Sequence, residues 1–98
     1  MDSSDIEIHH TNEGTHGEYL ATASSCDGKG KLSWTDRGGV RHAEHTFVPP
    51  ACRGKGMAEA LVKAMIADAR EHGFRIAPDC SYVARYFDRH AELAELRA

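Results

Sequence analysis

Six consecutive residues, Arg53-Gly54-Lys55-Gly56-Met57-Ala58, set two cations and two glycines just ahead of an apolar-periodic stretch. With a strand leading in through Val48-Pro49-Pro50 and a helix leading out, the first helical N–H groups have no intrahelical partner. Together with the positive end of the helix dipole they form an anion site. Gly54 and Gly56 let a phosphate approach the backbone closely, and Arg53 and Lys55 supply countercharge. The same residues also fit an ordinary surface turn with two solvated cations. Other phosphate motifs fit poorly. A Walker loop needs Gly-Lys-Ser/Thr, and Gly54-Lys55 is followed by Gly56; a dinucleotide fingerprint begun at Gly54 would want Gly or Ala where Glu59 stands.

Cys80 is the second candidate. It falls at the end of an expected strand and just before a helix start, where the dipole lowers a thiol pKa. A buried structural cysteine fits that position equally well. Asp79 places an acid beside it. Cys26, expected in a hairpin loop, and Cys52, expected in a turn, carry no assigned role. Three widely spaced cysteines without a CxxC pair predict no disulfide framework, which suits a reducing cytoplasm. His9-His10 and His42-x-x-His45 lack structural-zinc spacing, and strand alternation predicts His42 and His45 on opposite faces, so no metal is expected.

The elements that must position these groups are legible from periodicity. Residues 5–9, 18–24, 31–35 and 40–48 read as strands, with turns at 12–17, 27–30 and 36–39. Residues 1–4 read as a frayed terminus. Leu32 and Trp34 share one strand face. Pro49-Pro50 ends the ladder. Met57, Leu61 and Met65 recur at helical spacing, with Ala58, Val62, Ile66 and Ala69 on the same side and Glu59, Lys63 and Arg70 opposite. Gly73 closes this helix. Residues 74–77 form a strand, which a right-handed crossover places parallel to residues 40–48. A last helix runs from about Tyr82 to His90. The expected class is α+β: an antiparallel meander, a β-α-β crossover and a C-terminal helix, in one domain over 1–98. Ligands in such arrangements sit at the carboxyl ends of parallel strands, where both the Arg53 turn and residues 78–82 emerge.

Bulk properties narrow the classes. A chain of 98 residues with 41% hydrophobic and 28% charged residues is an ordinary globular composition. No apolar run is long enough for a membrane span, and the acidic, polar start does not read as a signal peptide. A net charge of −3 argues against general nucleic-acid binding. The expected partners therefore include neither membrane nor nucleic acid, and the expected location is cytoplasmic.

The pattern Arg-x-x-Gly-x-Ala at Arg53, Gly56 and Ala58, entered from Val48-Pro49, resembles motif A of the GNAT superfamily of acetyl-CoA-dependent N-acetyltransferases. The run Pro78-Asp79-Cys80-Ser81-Tyr82-Val83, followed by Tyr86 and His90, is similar to the second signature of a minimal single-domain GNAT branch, the YjdJ-type proteins. His45-Thr46-Phe47-Val48-Pro49 resembles that branch's His-Thr-x-Val-Pro signature. Matched motifs span residues 45 to 90. Ala91-Glu92 departs from the branch's Pro-Glu at a helix end, away from the site.

This resemblance implies acetyl-CoA as cosubstrate, with no metal, and an amine acceptor that the sequence does not identify. It implies that Arg53, Gly54, Lys55, Gly56, Met57 and Ala58 hold the pyrophosphate. N–H groups near Thr46, Phe47 and Val48 polarise the thioester carbonyl. Transfer runs through an acetyl-Cys80 intermediate or directly to the amine. His45 is the candidate base, although a strand histidine is more often a satisfied polar residue; Glu44, expected on the other face, is a weaker alternative. Tyr82 or Tyr86 protonates the departing CoA thiolate, and Tyr86 fits the core equally well. Residues 1–39 hold no helical period to enclose an acceptor. A CoA-binding sensor or interaction module with little turnover is therefore the second reading, and a cysteine-based thioesterase or acyl carrier the third.

Overall fold

A computed structural model describes residues 5–98; the expectation for residues 1–4 lies outside them. Strands β1 (Ile6–Asn12), β2 (His16–Ala23), β3 (Cys26–Arg37) and β4 (Val40–Phe47) are followed by helix α1 (Met57–His72), strand β5 (Arg75–Pro78) and helix α2 (Ser81–Arg89). The five strands form one sheet in the order β1-β2-β3-β4-β5. Successive pairs are antiparallel up to β4, and β5 joins β4 in parallel after the α1 crossover. The β1–β2 turn is set by Asn12, whose Oδ1 accepts the Gly14 N–H at 2.8 Å.

Alternation decides which sheet face is covered. Tyr19, Ala21, Leu32, Trp34 and Ala43 are buried against α1, which contributes Met57, Leu61, Val62, Met65, Ile66 and Ala69. Gly30 allows this approach: a Cβ there would lie 2.7 Å from Met57 Sδ, closer than a side chain tolerates. Helix α2 packs on β5 and β4 and buries Val83, Tyr86 and Phe87, with Tyr86 sharing a depression with Lys63 and Ile66 of α1. The segment beyond α2 does not extend it. A 3-10 segment, Ala91–Leu96, buries Leu93 and Leu96, and the Ala98 N–H then reaches the Ile76 carbonyl at 2.8 Å beside β5. The opposite sheet face bears no fully buried residue among those described.

Three expectations are corrected. Residues 27–30 are not the second turn: Ala23 pairs with Cys26 across a two-residue turn at Ser24-Ser25, and Ala21 pairs with Gly30. The Gly28 region is thus an irregularity inside β3, where glycine chemistry serves a bulge rather than a reversal. His42 and His45 do not face opposite ways. Ser33 pairs with His45 and Trp34 with Ala43, so Glu44 is an extra residue in β4. The bulge resets the alternation. His42 opposite Thr35, Glu44 bonded to Thr35 Oγ1 at 3.0 Å, and His45 opposite Ser33 all share the uncovered face. Finally, Cys26 and Cys52 are joined as a disulfide, with Cα atoms 5.4 Å apart. Sequence separation concealed a pair that the sheet brings together, leaving Cys80 as the free cysteine.

Candidate active site

Strands β4 and β5 stay paired only from Val40/Arg75 to Ala43/Pro78. Beyond that rung the Glu44 bulge carries β4 onward with β3, while the chain after Pro78 turns into α2. The last link across the opening is the Cys80 N–H to the Ala43 carbonyl, at 2.9 Å. Cys80 therefore caps the notch. Its Sγ lies 3.4 Å from Thr46 Oγ1 on the facing strand. It is also the residue preceding the first turn of α2. Burial alone pushes its pKa up, but the Thr46 hydroxyl and the amides of Val83, Tyr82 and Thr46 outweigh that and hold the thiol below its ordinary value. The acid next door does not oppose this. Asp79 is turned to the uncovered face, where its Oδ2 sits 2.8 Å from His42 Nδ1 and 3.9 Å from Arg37.

The basic turn lies on the other side of the notch. A short 3-10 turn, Pro50–Cys52, leads into Gly54 and Gly56, at φ +80° and +82°. Those are left-handed values that side-chain-bearing residues adopt only with strain. Among the described residues no side chain caps α1. The first intrahelical bond at its start is Ala60 N–H to the Gly56 carbonyl, which leaves the Met57, Ala58 and Glu59 amides directed outward. Arg53 is more than a countercharge: its Nε donates to the Val48 carbonyl at 3.2 Å and so folds the turn back on the end of β4. Val48, Arg53, Gly54, Gly56, Met57, Ala58, Glu59 and Tyr82 line one open cleft of about 280 Å³.

The profile of the GCN5-related N-acetyl-transferase family matches residues 18–96 of this chain, which takes in both the notch and the turn. The chain belongs to that family. GCN5-related N-acetyltransferases use acetyl-CoA as acyl donor, and the outward amides, left-handed glycines and cation of this cleft fit a pyrophosphate. The family match also bears on the small α+β architecture, with its mixed five-stranded sheet.

Within this GNAT domain the expected site residues divide into two groups. Cys80, Thr46, Val48, Tyr82 and the Arg53–Ala58 turn gather around the notch. Tyr82 is half-buried, and it joins this cleft to a second depression of about 230 Å³ containing Arg85, Tyr86 and His90. Burial first, and the Glu59 carboxylate second, raise the pKa of both Tyr82 and Tyr86, so both stay protonated. Tyr86 is the more buried, and the core role stands beside any chemical one. His45 and Phe47 are exposed on the uncovered face, across the strand from Thr46; Glu44 shares that face. Lys55 is exposed at the turn.

Sequence reasoning missed a polar cluster at the other end of the domain. Arg41 is buried, with Nε and Nη2 on the Asp36 carboxylate at 2.9 and 3.1 Å and Nη1 on Tyr19 Oη at 3.0 Å. Tyr19 Oη in turn donates to Asp68 Oδ2 at 2.7 Å. His10 stacks on Tyr19 and accepts the Trp34 indole N–H at Nε2, 3.1 Å away. The one available signal was parity. Arg41 shares the face of Ala43, and a charge at a core-facing strand position needs a buried partner.

Proposed function

We propose that this domain binds acetyl-CoA along the Arg53 turn and transfers its acetyl group to an amine, with Cys80 as the acceptor of first resort. The observation that carries the reading is the position of the Cys80 thiol, at the opening between β4 and β5. It is biased toward thiolate, and Tyr82 and Val48, each two residues beyond Cys80 and Thr46, line the cleft of the basic turn. The outward amides of Met57 and Ala58, with Gly54, Lys55 and Gly56, hold the pyrophosphate, and Arg53 fixes the turn while adding charge.

The notch supports one covalent sequence. Cys80 thiolate attacks the thioester carbonyl carbon, and the carbon–sulfur bond to CoA breaks as the new one forms. The amides of Thr46 and Val48, on the edge of β4 opposite the Phe47 amide that faces β3, stabilise the oxyanion. Tyr82, protonated and lining the cleft, supplies the proton to the departing CoA thiolate. An amine then attacks acetyl-Cys80, returning the thiolate. The uncovered sheet face offers the amine a route in, and His45 on that face takes its proton. Direct transfer to the amine uses the same groups without the acyl-enzyme.

The uncovered face also favours a second reading. With no helix over it among the described residues, the domain is a CoA platform whose acceptor side is completed by a partner. Titration of isotope-labelled protein with acetyl-CoA, followed by amide shifts and intact mass, tests both. Shifts centred on residues 53–58 with an acetyl adduct on Cys80 support the covalent route. Shifts without an adduct leave direct transfer or the platform, and no shifts at saturating ligand reject CoA.

A further inference from the structure

The geometry points to the Cys26–Cys52 disulfide as a thiol-exchange site, entered at Cys26 by a low-molecular-weight thiol, whose state sets the affinity of the Arg53 turn for its ligand. This rests on the proposed acetyl-CoA reading and adds a regulation to it. Cys52 directly precedes Arg53, is fully buried and forms part of the wall of the same cleft. The hydrogen bonds that shape this turn are local: Cys52 N–H to the Pro49 carbonyl at 2.9 Å, Arg53 N–H to Pro50 at 3.3 Å, and Arg53 Nε to Val48. None of these joins the turn to β3. The disulfide does, anchoring it to Cys26 at the start of that strand, beside the packing of Pro49 against Gly28.

Burial sets the direction of attack. Cys26 is half-buried and Cys52 fully buried, which directs an incoming thiolate to Cys26 Sγ. The Cys26–Cys52 bond breaks, and its electron pair leaves on Cys52, which takes up a proton. The second thiol of a dithiol then attacks its own sulfur in the mixed disulfide and releases Cys26 as a thiol. The protein gains two electrons and two protons, and the dithiol becomes its cyclic disulfide. Reduced Cys52 has the Asp27 carbonyl 3.2 Å away as an acceptor, so the turn keeps a weaker tie to β3 and the fold persists. Loosening acts on a backbone whose amides must converge on one anion, and that arrangement depends on Gly54 and Gly56 holding left-handed values.

The test measures binding of S-methyl-CoA, a thioether that cannot itself exchange, to oxidised protein and to protein treated with dithiothreitol. Thiol labelling with mass readout reports each cysteine. The expected result is reduction of the folded protein, followed by affinity at least about fivefold weaker, restored on reoxidation. A Cys26→Ser/Cys52→Ser variant should bind like the reduced protein under both conditions. The proposal is overturned if the bond yields only in urea, or if oxidised and reduced proteins bind alike. Equal, measurable binding would leave the acetyl-CoA reading standing. Binding by neither form would remove both.

Discussion

The two ends of the sheet treat polar groups in opposite ways. Around Arg41 every strong donor meets an acceptor: the guanidinium lies on the Trp34 ring at 3.6 Å and near the Phe74 ring at 4.1 Å, and it reaches Asp36 and Tyr19. No buried side-chain nitrogen or oxygen is left without a partner among the described residues. Around Cys80 the strands part, the α1 amides face outward, and a thiol is held short of its ordinary pKa. The first region is a closed network that fixes β2, β3, β4 and α1 to one another. The second leaves its bonding capacity open. A satisfied cluster stabilises, whereas unsatisfied donors converging on a cleft are available for a ligand.

Breaking the closed end should give the largest effect. Arg41→Ala leaves Asp36 without its bidentate partner, takes a donor from Tyr19 and opens space between two aromatic rings. Loss of about 3 kcal/mol of unfolding free energy is expected from urea titration, as for other buried pairs broken on one side. Folded protein at low temperature should keep the reactivity of Cys80. A stability loss under about 1 kcal/mol would mean that the network is ornamental.

Legibility in the sequence followed the same division. The strands, the α1 face and the Arg53 turn were readable because each obeys a local period or a local motif. The faces of His42 and His45 were not, since one inserted residue at Glu44 reverses strand parity without any compositional mark. Nor was the Cys26–Cys52 bridge, which depends on β3 beginning at residue 26 and not after a turn at 27–30. Arg41 received no assignment for the same reason: its partners Tyr19 and Asp36 come from two other strands, and Asp68 of α1 joins only through Tyr19. Cys80 was legible as a candidate but its environment was not, because Thr46 is distant in sequence and meets it only across the splay.

The open end should respond next. Arg53→Ala should weaken acetyl-CoA binding by about 1–3 kcal/mol, since it removes a charged donor and the tie to the Val48 carbonyl. Calorimetry would read it, and unchanged affinity would restore the view of this turn as solvated surface. Gly56→Ala probes the same backbone without touching charge. At φ +82°, with no atom of the described residues within 4 Å of an added Cβ, the cost is conformational, about 1 kcal/mol. Stability and binding should both fall; an unaltered melting curve would deny that the left-handed conformation is needed.

A pH series separates the two ends with the smallest perturbation. The His10 side chain is about a quarter exposed, and the Trp34 N–H occupies Nε2, which places its proton on Nδ1, 3.4 Å from Asp68. Burial, opposed by Asp68 and Asp36 and reinforced by Arg41, lowers its pKa below 6.5. Between that lowered value and 6.5 the unfolded chain binds the extra proton, so this contribution is complete above 6.5. It is lost as pH falls toward the folded-state value, then levels off. Melting temperatures measured from pH 8 downward should show that decline, and His10→Gln should flatten it at the cost of a weaker contact to Trp34. Alkylation of Cys80 over the same series should set in at lower pH than for an ordinary thiol, because the Thr46 hydroxyl and nearby amides favour thiolate. His10→Gln should leave that alkylation curve in place. A shift of the curve in this variant would show that the network and the notch are coupled through β4, and the division between a closed and an open end would no longer hold.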